Sequence, residues 1–100
     1  MRARDVVTVK TDKPKTPVSI DTAKTLIASA AVTRAVIECF DGRRWAIILS
    51  GREEFVVKSA RQCPKPYAKI ETALEELRIF GLRHAEVDFT KWQRAQSTLA

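Results

Sequence analysis

Apolar, β-rich runs bounded by turn residues fill residues 33 to 59, which predicts a three-stranded antiparallel meander. Its runs are Thr33–Phe40, Arg43–Ser50 and Glu53–Ser59. Asp41-Gly42 separates the first two, and an Asp-Gly pair between β-rich runs is a strong hairpin signal. Gly51-Arg52 separates the second and third, glycine suiting the first place of a tight turn because it takes the required backbone angle without a steric penalty.

Two-residue turns pair Phe40 with Arg43, Glu38 with Trp45, Ser50 with Glu53 and Ile47 with Val56. Parity then gathers Ala35, Ile37, Cys39, Ala46, Ile48, Phe55 and Val57 on a core face. The opposite face collects Val36, Phe40, Trp45, Ile47, Leu49 and Val56, interleaved with Glu38, Arg43, Glu54 and Lys58. An exposed patch that apolar marks an interface. Candidate covers are a terminal segment of the chain, a second copy, or another partner or ligand.

A helical period flanks the meander on both sides. Ser19 or Asp21 offers an N-cap for a helix through about Ala30, with Ala23, Leu26, Ile27 and Ala30 on one stripe. A second helix is predicted over Ile70–Phe80, with Ile70, Ala73, Leu74, Leu77 and Phe80 inward and Gly81 as its stop. The connector 61–69 carries Pro64 and Pro66, and the strand 83–89 turns Ala85, Val87 and Phe89 inward. The expected fold is α+β in two layers: an antiparallel sheet, made of the meander plus a C-terminal strand, with two helices in the order α-β-β-β-α-β. Residues 1–18 read as a flexible basic segment, within which Val6, Val7 and Val9 could add a short edge strand; 19–92 read as one domain and 93–100 as a polar tail.

The chain has 100 residues, two cysteines, one histidine and a net charge of +6. That length supports one modest core. No apolar run approaches the roughly 20 residues that span a bilayer, and the N-terminus lacks the apolar stretch of a signal peptide, so the expectation is a cytoplasmic protein without a membrane partner. Neither Cys39 nor Cys63 has a companion at metal-ligand spacing, and no metal or cofactor is assigned. The glycines all have turn or cap duties, which leaves no phosphate loop. Glu53-Glu54 and Glu75-Glu76 are adjacent acids whose side chains diverge, and His84 has no partner at catalytic distance. The pattern therefore points away from an enzyme and from a small-molecule substrate.

The positive charge is uneven. Five cations and two acids lie in residues 1–18, eleven and ten in 19–89, two and none in 90–100. Basic tails add salt-dependent affinity for nucleic acid. Within the domain, Arg61, Lys65 and Lys69 lead into the second helix, whose N-terminus favours phosphate, and Arg43, Arg44 and Arg52 mark the two hairpin turns. These six are the candidate nucleic-acid contacts; Phe40, Trp45, Ile47 and Val56 are the candidate association surface.

Residues 26–36, Gly42-Arg43-Arg44-Trp45-Ala46-Ile47-Ile48-Leu49, residues 67–77 and Gly81-Leu82-Arg83-His84-Ala85-Glu86-Val87-Asp88 together resemble the ParC family of plasmid partition-associated proteins, over roughly residues 22 to 92. The motifs are hydrophobic spacing around a Gly-x-x-Trp and a Gly-Leu-x-x-x-x-Val-Asp, and they bring no catalytic residue. The resemblance implies a non-enzymatic accessory role in bacterial plasmid or mobile-element partition and maintenance, through contact with a partition ATPase or with DNA. Two mechanisms follow: a protein–protein interaction module, acting as a homodimer through the apolar strand face, or direct and largely non-sequence-specific nucleic-acid binding by the basic tails and turn arginines.

Overall fold

The computed structural model describes residues 14–93. Thr16–Val18 forms β1, Ile20–Ala28 α1, Val32–Cys39 β2, Trp45–Gly51 β3, Glu54–Val57 β4, Ile70–Phe80 α2 and Glu86–Asp88 β5. The strands make one five-stranded sheet in the order β1-β4-β3-β2-β5. β3 is antiparallel to both its neighbours, whereas β1 runs parallel to β4 and β5 parallel to β2.

The sheet is thus mixed, and the antiparallel expectation is corrected in two places. An unforeseen strand, β1, arises where a flexible lead was expected; Pro17 is tolerated there because an edge strand can leave one backbone position without a donor. The last strand pairs with β2 in parallel, since α2 carries the chain from β4 over two strands to the far edge. The connections β1–α1–β2 and β4–α2–β5 each step three positions across the sheet in the same direction. Right-handed crossovers between parallel strands then place both helices on one face, where they share one core with the sheet.

Each helix is fixed locally. Ser19 Oγ accepts the backbone N–H of Thr22 at 3.2 Å and caps α1, answering one of the free N–H groups of the first turn. Gly81, at φ +107°, ends α2 in a left-handed turn, and the Leu82 N–H returns to the Leu77 carbonyl at 3.0 Å. Ala73, Leu77 and Phe80 are buried, while Leu74, expected inward, is 45% exposed. No described helix is long and apolar enough to cross a membrane.

The register of β3 differs by one residue from the expected one. Cys39 pairs with Trp45 and Ile37 with Ile47, so Trp45, Ile47 and Leu49 point toward the helices and Ala46 and Ile48 away. Asp41 is the local cause: its Oδ1 accepts the N–H groups of Arg43 at 3.1 Å and Arg44 at 2.8 Å, which holds a longer turn closed by Phe40 N–H on the Arg44 carbonyl at 3.1 Å. Energetics agree, because this register buries the larger apolar set. The second turn also has one extra residue: Ser50 pairs with Glu54 and Leu49 with Phe55. Two slips cancel, returning Phe55 and Val57 to the helix side with Ala35, Ile37 and Cys39.

Gly51 serves this turn in a way the angle argument misses. It stands opposite Val32, and a Cβ there would lie 1.8 Å from the Ala31 carbonyl oxygen. Close approach, not a positive φ, requires the glycine.

The C-terminal strand is shorter than expected. Only Glu86–Asp88 pair, and Val87 and Phe89, expected inward, are 40% and 61% exposed because β5 lies at the sheet edge. The edge strand anticipated at Val6, Val7 and Val9 lies outside the described residues, as does most of the 93–100 tail.

Candidate nucleic-acid interface

Two loops meet at the end of the sheet where β3 begins. One is the 40–44 turn. The other is the 58–69 connector, tied to β3 by reciprocal backbone hydrogen bonds between Trp45 and Tyr67, both 2.9 Å. A third segment arrives from the far edge, where the Gln93 N–H donates to the Gly42 carbonyl at 2.8 Å.

Arg44 is held from two sides. Its Nε donates to Asp41 Oδ2 at 2.6 Å, and its guanidinium carbon lies 5.5 Å from the Phe40 ring centre, within range for a cation–π contact. Asp41 is held below the ordinary aspartate range, first by the Arg44 backbone N–H and then by that of Arg43. Arg44 and Arg61 share a shallow cleft of about 310 Å³ with Phe40, Gln62, Cys63, Pro64 and Pro66. Arg61 is presented by a tight turn in which Ser59 Oγ accepts the N–H groups of Arg61 at 3.3 Å and Gln62 at 3.0 Å.

Lys65 and Lys69 have different fates. Lys65 Nζ donates to Glu76 Oε1 at 3.2 Å and sits 5.0 Å from the Tyr67 ring centre. The same Glu76 oxygen accepts the Tyr67 hydroxyl at 2.9 Å. Burial pushes the Tyr67 phenol well above its usual range, and the hydrogen bond to Glu76 adds to the shift. Lys65 is therefore a structural cation. Lys69 occupies the N-cap of α2, exposed and without a side-chain cap, beside Glu71 in the first turn, which offsets the potential of the helix end. Among the described residues, Arg43, Arg61 and Lys69 enter no ion pair.

Arg52 stands apart. It lies in the 51–53 turn at the other end of β3, which at about 3.3 Å per residue is roughly 20 Å away. Five of the six candidate cations thus gather at one end of the sheet, and three of those are exposed without an ion pair.

The four candidate association residues do not share a surface. Trp45 and Ile47 are 7% and 0% exposed within the helix-side core. Phe40 is half-buried in the turn under Arg44, and Val56 lies on the opposite sheet face. Exposed apolar side chains occur instead along the β5 edge, at Val87, Phe89 and Trp92. In the sequence, strict alternation makes Val87 and Phe89 read as inward. The signal that could have found them is the brevity of the strand, three paired residues ending in Thr90 and Lys91.

His84 is exposed and lines an open cleft of about 550 Å³ with Leu74, Leu82, Arg78 and Arg83. The described lining of that cleft holds no hydroxyl, thiol or carboxylate side chain. Cys39 is buried and Cys63 exposed, both as free thiols. No family model, curated protein or solved structure matches the chain.

Proposed function

We propose that the chain is a non-enzymatic binding protein that contacts nucleic acid, largely without sequence preference, through the end of the sheet formed by the 40–44 and 58–69 loops. One observation carries this reading: Arg44 and Arg61 line one cleft with the Phe40 ring, with Arg43 and Lys69 exposed on the same two loops. Guanidinium groups contact phosphates, and Arg44 lies over the Phe40 ring that walls the cleft. The setting, plasmid or mobile-element maintenance, comes from the resemblance over residues 22 to 92.

The test is titration of the full chain with a mixed-sequence 30-base-pair duplex and with a single strand of equal length, across a salt series. Binding that weakens linearly in log–log coordinates with added salt, and that Arg43→Glu/Arg61→Glu abolishes, supports the reading. Unchanged affinity in that double variant overturns it.

A second reading, self-association, is favoured by the exposed Val87, Phe89 and Trp92 along one sheet edge. Light scattering separates the two: a dimer that ignores nucleic acid supports association, and a Phe89→Asp/Trp92→Ser variant returns it to a monomer.

A further inference from the structure

Open apolar surface lies on both sides of the start of β5. Before the strand, Leu74 of α2 is exposed and lines the cleft of about 550 Å³ with Leu82 and Ala85, which are half-buried against the core. Arg78, Arg83 and His84 give that cleft a cationic rim, and its described lining holds no carboxylate. Arg83 enters no ion pair among the described residues, and Arg78 reaches Glu75 only at 3.9 Å with both side chains exposed; such a pair contributes little. Within and after the strand, Val87, Phe89 and Trp92 are exposed beside the acids Glu86 and Asp88. One chain thus carries an apolar, cationic hollow and an apolar, acidic segment a few residues apart. They do not meet within one molecule, because Ala85 of the cleft leads directly into Glu86 and an extended chain carries Phe89 about 13 Å onward.

We propose that the cleft receives the Val87–Phe89 segment of a second copy, the two β5 edges running antiparallel about a two-fold axis, an arrangement that rests on the self-association reading and adds the surface that receives the edge. Val87 pairs with Ile37 and so lies on the helix side of the sheet, the side of the cleft. A two-fold axis near Glu86 seats both segments at once, since each copy presents the same two patches. Antiparallel approach sets Arg83 and His84 of one copy beside Asp88 of the other, whereas parallel approach would set acid against acid. Glu86, nearest the axis, is already paired with Arg34 at 2.9 Å. The free side of β5, at the sheet edge, offers backbone donors and acceptors to the partner strand. Nucleic acid is the weaker occupant, because the described lining has no aromatic ring on which a base could stack and Glu86 and Asp88 follow it along the chain.

The experiment is light scattering of the full chain across a concentration series, with variants at exposed positions. The unaltered chain should reach the mass of a dimer, and Leu74→Asp or Arg83→Glu should each return it to a monomer with the melting temperature level. Asp88→Arg should do the same. An equimolar mixture of the Arg83→Glu and Asp88→Arg proteins should regain the dimer mass, because each contact in the mixed pair then joins opposite charges. A dimer that Phe89→Asp/Trp92→Ser dissolves but that Leu74→Asp and Arg83→Glu leave intact would keep self-association and overturn the cleft as its receiver. A mixture that stays monomeric would overturn the antiparallel arrangement. An unaltered chain that is monomeric at every concentration would overturn self-association and the proposal with it.

Discussion

Trp45 stands opposite Cys39 across the β2–β3 ladder, and that pairing decides which half of β3 becomes core. With Trp45 on the helix side, Ile47 and Leu49 follow at the same parity, and the Trp45 backbone is free to bond Tyr67 and anchor the 58–69 connector. The one register sets both the packing of the domain and the assembly of its basic end.

Trp45→Ala should therefore behave as a core truncation, costing about 3–5 kcal/mol in urea denaturation of the full chain. Trp45 and Tyr67 belong to the same buried core, so its loosening should also raise the hydrogen-exchange rate of the connector that Tyr67 anchors. A cost below about 1 kcal/mol would place the indole at a surface and contradict the register.

Gly51→Ala tests the close approach at the second turn. The added Cβ meets the Ala31 carbonyl at 1.8 Å, and the obstacle is backbone, not a side chain that can swing aside. Overpacking of this kind costs about 1–3 kcal/mol, and the shift it forces lies between β3 and the residues that follow α1. The melting temperature of the variant provides the check, and a neutral effect would show that the strand ends are not in contact.

Tyr67 is the only tyrosine of the chain, so phenolate absorbance reports it directly. Its folded pKa is raised, chiefly by burial and then by the hydrogen bond to Glu76. A group raised above its unfolded value of about 10 contributes stability that is fully present below that pH and is lost as pH rises toward the folded value. Stability should fall above about pH 10, and the fall should be shallower in Tyr67→Phe. An ordinary phenol titration in the native chain would contradict the buried geometry.

The parts of this fold legible in the chain are those set by near neighbours. The period of Ile70 to Phe80, stopped by Gly81, predicts α2 with the bounds it has, and the strands β2, β3 and β4 fall, to within one residue, in the β-rich runs that Asp41-Gly42 and Gly51-Arg52 separate. Register was hidden, because it depends on the Asp41 side chain taking two backbone N–H groups and on how much apolar surface each choice buries. Parallel pairing was hidden for a different reason: Thr16 meets Phe55, and Val36 meets Glu86, across separations for which no local pattern exists. The basic site was half visible. Arg43, Arg44, Arg61 and Lys69 could be picked individually, but their convergence rests on the Trp45–Tyr67 backbone pair, and the engagement of Lys65 by Glu76 needed α2 in place.

Arg52 and Arg61 differ in position far more than in chemistry. Both are exposed turn arginines, yet Arg61 faces the cleft with Arg44 and Phe40, while Arg52 lies at the opposite end of β3. If binding uses the basic end, Arg61→Ala removes about one phosphate contact and lowers the salt slope by about 1, with a uniform loss of affinity across sequences. Arg52→Ala should change neither slope nor affinity. Neither substitution touches a buried group, so melting temperatures should stay level and a difference in binding cannot come from unfolding. Equal losses from both arginines would mean that affinity follows overall net charge, and the localised site would have to be abandoned.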